Sequence, residues 1–149
     1  MLIYTARFSK RKAVAILLAL AVIAAAVILL FPEKEAGTGM EVFGKSEAVR
    51  YIESLGYTAG EEMESGEVVI PETFDKVYTG YNNMQKECGF DLEPYKGEKV
   101  TLYSCCIEGY PDQSGVMCDI LVYEGEVIGG NIYTAELDGF MHGLKPAEG

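Results

Sequence analysis

The sequence predicts an α+β fold: an N-terminal transmembrane helix, then a small domain with two helices packed on one face of an antiparallel sheet. Three observations predict it. Ala13 to Phe31 is a run of 19 residues with no polar or charged side chain. Two amphipathic helical patterns follow, each ended by a glycine. Three strand-like runs come last, and helices followed by a strand meander give segregated layers. At 149 residues the chain accommodates an anchor and one modest domain, which excludes a TIM barrel or a doubly wound two-domain enzyme.

The apolar run reaches roughly 28 Å as a helix, close to the hydrocarbon thickness of a bilayer. Lys10-Arg11-Lys12 stands directly before it and Pro32-Glu33-Lys34-Glu35 after it. The positive-inside rule then places residues 1–12 in the cytoplasm and residues 32–149 outside. A cleaved signal peptide shares the basic start, and Ala24-Ala25-Ala26 resembles a cleavage site. The five apolar residues Val27 to Phe31 would then head the mature chain, so an uncleaved single-pass anchor is the preferred reading. The bilayer is thus the expected partner of residues 13–31.

Net charge divides along the chain. Residues 1–31 hold four basic side chains and no acid, whereas residues 32–149 hold the other eight against all 23 Asp and Glu. A domain so acidic repels nucleic acid, whose binders need a basic face. Residues 32–44, with three glycines after Glu33, read as a flexible stalk, and the extracytoplasmic domain is placed at 45–149.

The first helix is predicted over Glu47 to Leu55, capped by Ser46 and stopped by Gly56. Val68 to Ile70 reads as a short strand. The acidic run Glu61-Glu62-Met63-Glu64 reads as a solvated loop. The second helix is predicted over Glu72 to Cys88, with Pro71 at its start and Gly89 at its end. Its apolar stripe is Phe74, Val77, Tyr78, Tyr81, Met84 and Cys88, interrupted by Gln85. Gly80 suggests a close approach to the sheet. Strands are predicted over Lys99 to Glu108, Val116 to Glu124 and Glu126 to Thr134, the last two joined by a tight Glu124-Gly125 turn. Leu137, Phe140, Met141 and Leu144 are expected to return to the core as a short helical turn.

Several strings resemble one family. They are Ile70-Pro71 with Phe74-Asp75 and Val77-Tyr78; Tyr81-Asn82; Gly89-Phe90-Asp91-Leu92 with Tyr95-Lys96-Gly97; and Val127 to Gly130 through Leu137 to Leu144. Together with Arg50 to Thr58, they are similar to the Gram-positive bacterial proteins catalogued as domain of unknown function 4830. The resemblance covers about residues 48–144. It implies no activity and agrees with a membrane anchor, which members often carry. The chain departs from the pattern at Cys105-Cys106, where an aromatic and a polar residue are expected.

The chemistry available is narrow. There is one histidine, His142, and no G-x-S-x-G elbow, P-loop or dinucleotide fingerprint. Cys105 and Cys106 are adjacent in a strand and point to opposite faces, unlike the spaced pairs of zinc sites. No cofactor, metal or catalytic residue is assigned. The expected function is a non-enzymatic binding or accessory module at the cell surface, with a protein or envelope component as partner. The rival is a small surface hydrolase using His142 with a nearby Cys or carboxylate. Strand alternation places Cys105 and Cys118 on one face and roughly opposite each other, a candidate disulfide. The alternative is four free thiols packed as small apolar groups.

Overall fold

A computed structural model describes residues 39–147 of the chain. The predicted cytoplasmic tail 1–12 and transmembrane span 13–31, and most of the stalk, lie outside the described residues. Among the described residues no helix is long and apolar enough to cross a membrane.

The domain is α+β. Its elements run α1 (Lys45–Ser54), β1 (Thr58–Val69), α2 (Lys76–Glu87), a 3-10 turn (Glu93–Tyr95), β2 (Lys99–Glu108), β3 (Val116–Tyr123), β4 (Glu126–Thr134) and β5 (Met141–Gly143). The strands form one antiparallel sheet in the order β1-β2-β3-β4-β5. Val42, expected in the stalk, already belongs to the core with Met40 packed against it, and the Val42 N–H donates to the Gly125 carbonyl at 2.8 Å.

The two helices pack on opposite faces of the sheet, not on one. Tyr103, Cys105 and Ile107 of β2 and Cys118, Ile120 and Val122 of β3 share a core with Ala48, Tyr51 and Ile52 of α1. The alternate residues Val100, Leu102 and Leu121 form a second core with Ile70, Phe74, Tyr78, Tyr81 and Leu92, under α2. Both parities of the central strands are therefore buried, as in any sheet covered on two sides.

Helix α1 begins two residues before its predicted start. Gly44, extended, is its N-cap, so Ser46 lies within the first turn and caps nothing. Gly56, at φ +89°, ends it as expected. Helix α2 begins four residues late, because the Asp75 carboxylate accepts from the Tyr78 N–H at 2.7 Å and caps it there. Pro71 and Phe74 thus precede the helix. Its buried residues are Asn82 and Gln85, while Val77 is largely exposed and Gly80 approaches nothing. At the far end Gly89 is left-handed and the Phe90 N–H returns to the Gln85 carbonyl at 3.0 Å, burying the Phe90 ring.

The acidic run is strand rather than loop. It lies in the twelve-residue edge strand β1, where Met63 faces the core and Glu61, Glu62 and Glu64 face solvent. Carboxylates along an edge discourage pairing with another chain. The β3–β4 hairpin turns on Glu124 and Gly125, both at positive φ, the twist that a two-residue hairpin requires. The tail forms strand β5 instead of a helical turn. Leu137 and Met141 are exposed, and only Leu144 is deeply buried.

Candidate functional site

A cleft of about 600 Å³ opens at one end of the sheet, where α1 hands over to β1 and β2 leaves for β3. Gly56 turns the chain out of α1 and delivers Tyr57. Gly109, Asp112 and Gly115, all at positive φ, shape the β2–β3 connection that carries Tyr110. Strand β5 brings His142. The tail then crosses back, and the Ala147 N–H donates to the Leu55 carbonyl at 2.7 Å, closing the end of α1.

The rings of Tyr57, Tyr110 and His142 line the site. Tyr57 and Tyr110 lie 5° from parallel with centroids 6.1 Å apart. Phe140 stacks on Tyr110 and on His142, with centroids 5.3 Å and 5.5 Å away. Thr58, Glu108 and Lys145 supply the polar lining.

The polar edges of two rings are already bonded. His142 Nδ1 lies 2.7 Å from the Gly143 carbonyl, which can only accept, so Nδ1 carries a proton. In the neutral ring Nε2 then accepts from the Tyr110 hydroxyl at 2.8 Å. Among the described residues no Cys, Asp or Glu bonds either nitrogen. The contact of His142 with a Cys or carboxylate that the rival hydrolase would use is not made among the described residues.

A second polar group lies on the α2 face. Ser104, Asp119 and Asn131 sit in register across β2, β3 and β4. The Ser104 hydroxyl donates to the Asp119 carboxylate, and Tyr81 donates to Asn131 Oδ1 at 2.8 Å. Burial pushes the Asp119 carboxyl above its ordinary value, opposed in part by the Ser104 bond. Burial, with Tyr78 and Asp119 nearby, likewise raises the Tyr81 phenol. The chain's one histidine is bonded at the cleft, so this row has no imidazole to activate Ser104; its bonds tie α2 to the sheet.

Cys105 stands directly opposite Cys118 in the β2–β3 register, both buried, and all four cysteines are free thiols in this structure. Burial raises the Cys105 thiol to about 11 and raises Cys118 further, so neither is a ready nucleophile. Cys106 is exposed on the other face, and Cys88 is half-buried beside Gly143. Among the described residues no group of His, Cys, Asp and Glu could hold a metal ion.

Sequence reasoning singled out His142 but missed Tyr57, Tyr110 and Lys145. Tyr57 and Tyr110 are far apart in sequence and in unrelated strings; only the pairing of β1 with β2 brings them together.

A fold and site of this kind define a small α+β domain with an aromatic cleft at the sheet end. The family model described as Domain of unknown function (DUF4830) matches residues 51–132. The chain belongs to that family, and the match spans Tyr57 and Tyr110 while stopping short of His142. No curated protein and no solved structure matches the chain.

Proposed function

We propose that this chain is a single-pass membrane protein whose extracytoplasmic domain is a non-enzymatic binding module, with the aromatic cleft as its binding site. One observation carries the binding reading. The cleft is open and lined by the rings of Tyr57, Tyr110 and His142, and His142 bonds the Tyr110 hydroxyl and the Gly143 carbonyl rather than any Cys, Asp or Glu of the described residues. A pre-formed concave site lined by both aromatic rings and polar side chains fits ligand capture. The same bonds weigh against the rival hydrolase, which would need His142 free for a Cys or carboxylate.

The anchor reading rests on residues 13–31 and the preceding Lys10-Arg11-Lys12. It makes the bilayer a partner and places the domain outside the cell, in keeping with a Gram-positive surface protein. A tether of this kind raises the local concentration of the site near its ligand. Protease added to intact protoplasts should digest the chain beyond Phe31, and protection of the domain would overturn the orientation. Envelope components should be retained by the full chain and lost with Tyr57→Ala. Equal retention by both would remove the cleft as the site.

A further inference from the structure

We infer that the open half of the α2 face of the sheet is a docking surface for an amphipathic helix of a partner protein, apolar toward the sheet and carrying a Lys or Arg that reaches Asp119. None of its residues lines the cleft, so it stands whatever the cleft binds.

The surface is one cross-strand row. Cys106, Met117, Tyr133 and Met141 stand in register across β2, β3, β4 and β5. They share the face of Leu102 and Leu121, yet none of the four belongs to either core. Cys106 and Met141 are exposed, Met141 by 55%, and Met117 and Tyr133 are half-buried. Among the described residues Tyr133 stacks on no other ring. Apolar side chains aligned on four neighbouring strands and left uncovered mark an interaction face.

Helix α2 sets the shape of the occupant. It crosses the strands over the preceding row: Tyr81 bonds Asn131 of β4, and a Cβ on Gly143 of β5 would lie 2.4 Å from Cys88 Sγ. Asn131 pairs with Gly143, and Tyr133 with Met141 is the next pair on that face, about 7 Å further along the strands. Helices pack side by side at about 8–10 Å. A helix laid beside α2 therefore covers the row, much as α2 covers its own. The row spans three strand spacings, roughly 14 Å, the length of about nine helical residues.

Charge sets the sign. Asp119 borders the row on the α2 side, on the same face as Met117. It accepts from Ser104, and no salt bridge reaches it among the described residues. Glu64, in register with Ser104, adds a second acid to that border. A cation brought to the half-buried Asp119 gains more than at a fully exposed acid. A second copy laid on the row about a two-fold axis sets these acids toward their own kind. Anionic headgroups are repelled for the same reason. A cationic amphipathic helix is the occupant that meets both the apolar row and the acids beside it.

The test follows Cys106, the one of the four cysteines that is exposed, in the full chain in nanodiscs of zwitterionic lipid. Its alkylation rate is read by peptide mass mapping against two model peptides of helical period, one of Leu and Lys, the other of Leu and Glu. The Leu–Lys peptide should slow alkylation saturably, and the Leu–Glu peptide should not. Asp119→Asn should weaken that protection about fivefold, the scale of one partly exposed ion pair. Tyr133→Ser should weaken it about tenfold, as loss of an aromatic anchor does. Glu53→Gln, which removes an exposed acid from α1 on the opposite face, should leave it unchanged. Thermal melts of each variant separate lost binding from lost folding. No protection by the Leu–Lys peptide, equal protection by the Leu–Glu peptide, or equal effects of Asp119→Asn and Glu53→Gln overturns the inference. Protection that needs no peptide and rises with protein concentration assigns the row to a second copy. Protection gained from anionic vesicles alone assigns it to a bilayer. Either result overturns the inference as well.

Discussion

Gly130 has no room for a side chain. A Cβ there would lie 2.2 Å from the Asp119 carbonyl oxygen and 2.8 Å from Leu144 Cδ1. Its N–H donates to Gln85 Oε1 at 2.9 Å, and Gln85 is fully buried. The Gly129-Gly130 pair thus lets a polar side chain from α2 reach the backbone of β4. Gly130→Ala should cost about 3 kcal/mol by overpacking, read as a lower denaturant midpoint at unchanged slope. Asp119 gives a pH signature on the same face. Its carboxyl is raised above the ordinary 3.8 by burial, against the lowering effect of Ser104. The folded chain therefore keeps this proton to higher pH than the unfolded chain. Stability from this group is fully present below the ordinary value, falls as pH climbs through the raised folded value, and is level above it. Asp119→Asn should flatten that component, measured as unfolding midpoints at about pH 3 and about pH 7.

The hairpins were legible because their signals are local. The bounds of β2 and β4 agree with the sequence reading, and Glu124-Gly125 makes the expected turn. The sheet's two-sided burial was harder to read. Val116, Cys118, Ile120 and Val122 alternate well, which reads as one buried face, but Leu121 between them and Tyr123 after them serve the second core. Likewise β1 hides behind exposed glutamates, because an edge strand is under little demand to be apolar. Asn82 was legible only as part of a resemblance. In the structure its Nδ2 donates to Asp91 at 3.0 Å and its Oδ1 accepts from the Leu92 N–H at 2.8 Å, locking α2 to the turn after it. The β2–β3 register yields a further prediction. A mild thiol oxidant should couple Cys105 to Cys118 before any pair involving Cys88 or Cys106, because these two alone are directly facing partners. Peptide mass mapping of the alkylated, unreduced chain checks it, and Cys105 and Cys118 both labelled after oxidation would refute it.

At the scale of the whole domain, the tail does more than complete an edge. Strand β5 pairs with β4 through Met141 to Gly143. A Cβ on Gly143 would lie 2.4 Å from Cys88 Sγ and 3.2 Å from the Met84 carbonyl oxygen, so α2 rests directly on this strand. Leu144 enters the opposite core, shared with α1. Ala147 then bonds the Leu55 carbonyl at the end of α1. One segment of the tail therefore braces both layers, and it also supplies His142 and Lys145 to the cleft. A full chain stopped after Leu137 should lose on the order of 3–5 kcal/mol, about what deleting one large buried side chain costs, with the backbone bonds of β5 lost in addition. The losses should reach both faces together, so amides of α1 and α2 should exchange faster in the truncated chain, and not α2 alone. Leu144→Ala in the intact chain should reproduce the α1 part while leaving the β4–β5 pairing in place. A truncated chain that melts with the intact one would mean that neither layer depends on the tail.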